Sequence, residues 1–201
     1  MQKYRSLLSR KHPVRFVVSI DNDDRTMHAR QVQDYLRRQR DVQVFSGNSK
    51  SKIAAVNADF DKLGDYDVLI LASDDMVPQV RHYDTIIEQL MRVKFPGLDG
   101  CLHFSDGANV HGLNTMPIAG KKLIDSWGFI YHPDYISEWC DNWYQSVTER
   151  DGKSYKDDRV LFRHAWTDLT GHDATFKRNA GFYDRDKATF ERHKAAGFPL
   201  P

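Results

Sequence analysis

The chain has little of what usually fixes a protein's class at a glance. Its 201 residues hold two cysteines, Cys101 and Cys140, and neither stands in a metal-ligand spacing. That excludes a disulfide-stapled scaffold and a cysteine zinc site, and the pair reads as reduced thiols of a cytosolic protein. No apolar stretch is long enough for a signal peptide or a membrane span. Charge of one sign is also lacking: the net charge of +1 argues against a strongly basic nucleic-acid binder. There is no internal repeat, no low-complexity tract and no linker. At 40% hydrophobic and 28% charged residues, the composition is that of one domain over 1–201 able to bury a full core.

What is present is a charge asymmetry and an alternation. Residues 1–52 carry 12 Lys/Arg against 5 Asp, a net +7, whereas residues 53–100 carry 4 against 9 Asp/Glu, a net −5. The basic section suits an anionic ligand or, equally, a solvated helix face around Arg37, Arg38 and Arg40. Strand patterns at 14–20, 42–46 and 67–72 alternate with helical ones near 26–40, 50–62 and 79–93. In the last of these Val80, Tyr83, Ile86, Ile87, Leu90 and Met91 recur at spacings of three and four between Pro78 and Pro96. Further on, 100–104, 110–119 and 159–163 read as extended, and 120–127, 134–149 and 184–196 as helical. This order predicts an α/β fold: three layers around a mostly parallel, Rossmann-like central sheet. Residues 2–9 look like the tail of a helix with no strand before it, so the first N-terminal strand is expected to be missing.

Two strands end in carboxylates. Val68-Leu69-Ile70-Leu71-Ala72-Ser73 runs into Asp74-Asp75, and Val14–Ile20 runs into Asp21-Asn22-Asp23-Asp24. An apolar run of this kind suits a strand buried on both faces, whose carboxyl end is where open α/β sheets hold ligands. Hard oxygen donors there suit Mg²⁺ or Mn²⁺ against a diphosphate; the plain alternative is a solvated Asp-Asp turn. Two such ends side by side would form one acidic crevice, and a like-charge cluster is tolerated best where a cation is to be bound.

The residues Ser19-Ile20-Asp21, the segment Gly47–Lys52 to Asn57, and Ala72-Ser73-Asp74-Asp75 come in the order seen in nucleotide-sugar glycosyltransferases with the A-type fold. The chain resembles family 2 in particular. The run from Gly128-Phe129-Ile130-Tyr131-His132-Pro133-Asp134-Tyr135 to Trp139-Cys140-Asp141-Asn142 is similar to members common in bacteriophage and bacterial genomes. The likeness spans residues 14–198, with 14–100 as the nucleotide-sugar-binding half and 101–201 as the acceptor-side half.

The resemblance implies a metal-dependent, inverting transfer from a nucleotide-sugar, UDP-linked, in the cytoplasm, which is the host's if the gene is a phage gene. It implies that Asp21, with Ser19, meets the base, that Lys52 and Asn57 meet the base or diphosphate, and that Asp74 meets the ribose. It also implies that Asp75 and His164 hold Mn²⁺ or Mg²⁺, and that Asp141 is the base for the acceptor hydroxyl, with Asp106 or Glu138 the next carboxylates to consider. Ala72 stands where an earlier Asp is common, and Cys140 where a Glu precedes the base. The acceptor is open between a modified DNA base and a polysaccharide.

Each residue has a bland reading too. Lys52 can be a solvated helix start, His164 a hydrogen-bonded strand-end histidine, and Asp141 an exposed helix residue. His172 and Asp173 are weaker candidates still. Trp127, Trp139, Trp143 and Trp166 suit core packing before sugar stacking. Asp157-Asp158 and the Asp184–Lys187 run read as solvated charge. Two other functions stay open: a nucleotidyltransferase, which lacks here its Gly-rich phosphate loop, and a catalytically silent sugar- or nucleic-acid-binding relative.

Overall fold

The computed structural model describes residues 1–73, 75–107, 112–165 and 178–200. Helix α1 (Gln2–Leu7) precedes strand β1 (Phe16–Asp21), helix α2 (Arg30–Arg37), strand β2 (Val42–Gly47) and helix α3 (Lys52–Asn57). After a 3₁₀ turn at Phe60–Lys62 come β3 (Val68–Ile70), β4 (Met76–Pro78), α4 (Tyr83–Lys94), β5 (Cys101–Phe104), β6 (Ile118–Gly120) and α5 (Lys121–Trp127). The described chain continues with α6 (Cys140–Arg150), β7 (Ser154–Asp157), β8 (Phe162–His164) and α7 (Tyr183–Ala195).

The fold is mixed α/β, and its strands pair in both senses. β1 and β2 run parallel in register from Phe16↔Val42 to Asp21↔Gly47. A four-stranded sheet has the order β3-β6-β5-β7, in which β6 is antiparallel to both neighbours and β5 and β7 are parallel. β4 and β8 form a separate antiparallel pair. The expected mostly parallel pattern therefore holds for β1–β2 and β5–β7 but not for the ladders through β6 and β4. The short β4 and β7 were not legible as strands, because Met76-Val77-Pro78 and Ser154–Asp157 are too short or too polar to carry a pattern.

Burial separates the sheet's middle from its margins. Every residue of β5 and β6 is buried, whereas Val68, Leu69 and Ile70 are each only partly covered. The expectation that the strand before Asp75 is buried on both faces thus fails, since β3 is the outer member of its ladder. Gly120 is required where β6 turns into α5: a Cβ there would stand 2.3 Å from the Leu98 carbonyl oxygen.

Two apolar clusters fill the interior. One gathers Ile53, Leu123, Ile124, Tyr135, Trp143, Tyr144 and Val147 between α3, α5 and α6. The other packs Tyr83, Ile87 and Met91 of α4 against Leu102, Ile118 and Phe162. α1 closes the second cluster, with the Tyr4 hydroxyl donating to the Met76 carbonyl at 2.6 Å and the His82 N–H to the Leu7 carbonyl at 2.6 Å.

Helix α6 begins at Cys140 and not near 134. The preceding turn is held open by Asp186 of α7, fully buried, whose carboxylate accepts the N–H groups of Ile136 (3.1 Å), Ser137 (2.8 Å) and Glu138 (2.8 Å). The Asp184–Lys187 run is therefore not simply solvated charge. Among the described residues no helix is long and apolar enough to cross a membrane, and both cysteines are free and buried.

His103, in the centre of β5, is buried, and burial first, then Lys156, holds its pKa below the ordinary value. A depressed histidine stabilises the fold fully above the unfolded-state pKa of about 6.5, and that share is lost as pH falls below it and the unfolded chain takes up the proton. Urea titrations from pH 7.5 down to 5 should show falling stability, with a shallower slope in His103→Gln; equal slopes would remove His103 as the cause.

Candidate functional site

The β4–β8 ladder puts Met76 opposite His164 and so brings Asp75 to His164, 89 residues away in sequence. Asp75, just before β4, is 9% exposed. One of its oxygens accepts from the Ser73 hydroxyl, and the other lies 3.2 Å from His164 Nε2. The backbone reinforces the pairing, because the Ala165 N–H donates to the Asp75 carbonyl and the His164 N–H to the Asp106 carbonyl, both at 2.9 Å. The buried Asp106 carboxylate approaches the far ring nitrogen, Nδ1, at 3.7 Å and accepts from the Thr115 hydroxyl at 2.9 Å. The two expected metal ligands are thus side by side, with a carboxylate behind the histidine. Asp74, His172, Asp173 and Trp166 lie outside the described residues.

Lys52 opens α3 after Ser51, whose hydroxyl caps the helix by accepting from the Ala54 N–H at 3.1 Å. The Ile53 N–H donates to the Ile136 carbonyl at 3.1 Å, which fastens this helix start to the turn before α6. Lys52 is exposed yet crowded. Crowding alone would lower its pKa, but Cys140, Asp141, Glu138 and Asp75 outweigh it and hold the ammonium above its ordinary value. Burial pushes the Cys140 thiol well up, so at neutral pH the effective partners are the three carboxylates. Lys52 is thus an exposed lysine whose charge is felt by acids of two chain segments, Asp75 on one and Glu138 with Asp141 on the other, and these residues form the candidate recess.

Asp141 stands in the first turn of α6, and the Tyr131 hydroxyl donates to its Oδ1. Burial, then Asp141 itself, raises Tyr131 far above its usual pKa and keeps it a donor. Glu138, partly buried, is raised by burial and by Asp141 and Asp186, against the opposing pull of Lys52. The recess therefore holds two carboxylates in unlike settings, one anchored by a phenol and one partly desolvated.

Other expected residues sit elsewhere in the network. Asp21 Oδ1 accepts the Ser49 N–H at 3.2 Å, and Asn22 Nδ2 donates to Asn48 Oδ1 at 3.1 Å, so the carboxyl ends of β1 and β2 are laced together. The Ser19 hydroxyl donates to Asp59 at 2.6 Å, and Asp59 also accepts from Lys62 at 2.8 Å. Asn57 is committed to the backbone: its Oδ1 accepts the N–H groups of Ile130 (2.9 Å) and Tyr131 (3.1 Å), and its Nδ2 donates to the Tyr131 carbonyl (2.6 Å). An amide so used positions Tyr131, with both acceptor sites of Oδ1 and one of the two Nδ2 donors spent on the backbone. Trp127 and Trp143 pack edge to face at 5.5 Å within the core, and Trp139 packs on Tyr183 and Phe190.

Tyr131 and Ser73 are the contributors that the sequence did not single out. Tyr131 is one aromatic among many in its segment, and Ser73 had no pattern beyond adjacency to the Asp pair. Asp106 carried the same signal as Asp75, an apolar strand ending in an acid. The chain matches no protein-family model, no curated protein and no solved structure.

Replacing Asn57 by Ala leaves two buried N–H groups and a carbonyl without their partners. The expected result is a loss of about 2–4 kcal/mol of unfolding free energy, measured by urea denaturation. A variant as stable as the parent would free Asn57 for a ligand-binding role.

Proposed function

We propose that the chain is a metal-dependent glycosyltransferase that moves a sugar from a UDP-linked or related nucleotide-sugar to a hydroxyl acceptor, with inversion. The observation that carries this reading is that Asp75, paired with His164, and Asp141, paired with Tyr131, both act electrostatically on Lys52. A layered, Rossmann-like core is part of the same proposal, supported by the parallel β1–β2 pair with α2 between its strands.

The donor set fits a divalent cation. Donors bound at about 2.1 Å and at right angles on an octahedral ion lie about 3.0 Å apart, against 3.2 Å between His164 Nε2 and Asp75 Oδ2. An imidazole beside a carboxylate suits Mn²⁺ better than the harder Mg²⁺. Asp75 and His164 would hold the ion, and when bound it offsets charge on the diphosphate leaving group. Lys52 supplies a fixed positive charge beside it. The bond from the anomeric carbon to the diphosphate breaks through an oxocarbenium-like state, by analogy with glycoside hydrolysis. Asp141 takes the proton of the acceptor hydroxyl as the new glycosidic bond forms, while the Tyr131 hydroxyl fixes the orientation of its carboxylate. Asp21, at the laced ends of β1 and β2, is the proposed acceptor for the uracil N3–H.

Calorimetry with UDP in the presence and absence of Mn²⁺ tests the metal. Asp75→Asn should abolish most of the Mn²⁺-dependent affinity without changing the melting temperature by more than a few degrees, and unchanged Mn²⁺-dependent binding would refute the assignment.

Asp141→Asn separates binding from chemistry. It should retain donor affinity and lose transfer by roughly 100-fold or more, the usual contribution of a general base. Full activity in that variant would move the base to Glu138, whose raised pKa makes it the next carboxylate to replace.

A further inference from the structure

A second group of metal-binding side chains lies on the turn before α6 and shares no residue with the pair at β4–β8. His132 and Asp134 come from that turn, and His193 from the last part of α7. One ligand atom from each lies within 4.8 Å of the others. We propose that His132, Asp134 and His193 form a binding site for a zinc-type transition-metal ion, independent of the proposed donor site.

Two imidazoles and a carboxylate are the donor set that borderline metals take, with a fourth position left to water or an anion. Tetrahedral donors about 2.1 Å from zinc stand about 3.4 Å apart. His193 Nε2 is already 3.0 Å from Asp134 Oδ2, and the His132 ring has its centroid 4.6 Å from that of His193. A histidine–carboxylate hydrogen bond accounts for His193 and Asp134 alone. His132 is held beside them by the Asp134 N–H, which donates to its Nδ1 at 3.2 Å, so two imidazoles and a carboxylate are gathered where His132 is 3% and His193 6% exposed.

The supporting groups are in place. The Tyr135 hydroxyl lies 3.3 Å from His193 Nδ1. Being both donor and acceptor, it can receive the Nδ1 proton when Nε2 turns its lone pair to a metal, so binding needs a tautomer change and no net proton loss from that ring. Asp134 is exposed on a cleft of about 490 Å³ also lined by Arg185, Thr189 and Arg192. That cleft gives the ion an entry path, and the two guanidinium groups favour an anion as its fourth ligand.

Zn²⁺ alone is the probe. Competition with a chromophoric chelator at pH 7 should show a single tight site in the parent and a raised melting temperature, because the ion would pin α7 to the turn before α6. The exposed Asp134→Asn, which leaves the core intact, should weaken Zn²⁺ by about tenfold or more and His193→Gln by about 100-fold or more. Asp75→Asn should leave Zn²⁺ binding unchanged, which keeps this result distinct from the fate of the glycosyltransferase reading. No tight Zn²⁺ in the parent, or affinity unaltered by Asp134→Asn and His193→Gln, would overturn the site.

Discussion

The buried Asp186 carboxylate is the constraint on which the functional half of the molecule depends. An ionised side chain with no solvent exposure must be matched by hydrogen bonds, and here the match is three consecutive backbone N–H groups. Those groups belong to Ile136, Ser137 and Glu138, so satisfying one charge fixes the whole turn. The turn sets where α6 starts, and with it Asp141. It also presents the Ile136 carbonyl to the Ile53 N–H, which sets where α3 starts, and with it Lys52. Local helix preference would not place either helix to within a hydrogen bond, and the carboxylate does. The same turn carries His132 and Asp134, so a metal there would add to a connection that Asp186 already makes.

The other half of the recess depends on register. Asp75 and His164 meet because β4 and β8 pair with Met76 opposite His164. A slip of one residue would send the imidazole to the opposite face of the ladder. Three-residue strands resist such a slip poorly by themselves. The apolar cluster around Tyr83, Leu102 and Phe162 supplies the resistance from one side, and α1 from the other through Tyr4. That packing gives the N-terminal helix a role its sequence does not advertise, since it braces the strand that follows the proposed metal ligand.

Legibility in the sequence followed the length of the pattern. β1, β2, α4 and α5 were readable because apolar spacing persists through them or continues into their flanks, α7 because a charged run fits a helix, and β5 because a short apolar run is bounded by glycine and a turn. β4 and β7 were not, and the mixed sheet sense was not, because pairing partners far apart in sequence leave no local trace. Asp75 drew attention from its strand-end position, and Lys52, Asp141 and His164 only through the family resemblance, though only the fold reveals that Lys52 stands among the acids. Asn57, expected at the nucleotide, spends most of its amide on the backbone of Ile130 and Tyr131. A polar residue on a short helix looks the same in sequence whether it faces a nucleotide or the backbone of a segment 74 residues away. Asp186 was misjudged for a related reason, since a carboxylate inside a run of alternating charges reads as solvated until its backbone partners are known.

Charge balance connects the parts of the recess. Lys52 interacts with Asp75, Glu138 and Asp141, and three carboxylates around one ammonium leave an excess of negative charge. Part of that excess adds to the effect of burial at Glu138, whose proton is held more tightly by burial first and then by Asp141 and Asp186, against the pull of Lys52. A divalent cation beside Asp75 offsets the excess, and a diphosphate then adds negative charge next to the ion and Lys52 instead of next to bare carboxylates. On the proposed reading the order follows from electrostatics: the anionic donor meets repulsion in a metal-free recess and attraction once the ion is held. Asp141 shares in that balance through Lys52 while its carboxylate is tied to Tyr131 at the start of its own helix, which on the proposed reading keeps it oriented toward the acceptor hydroxyl.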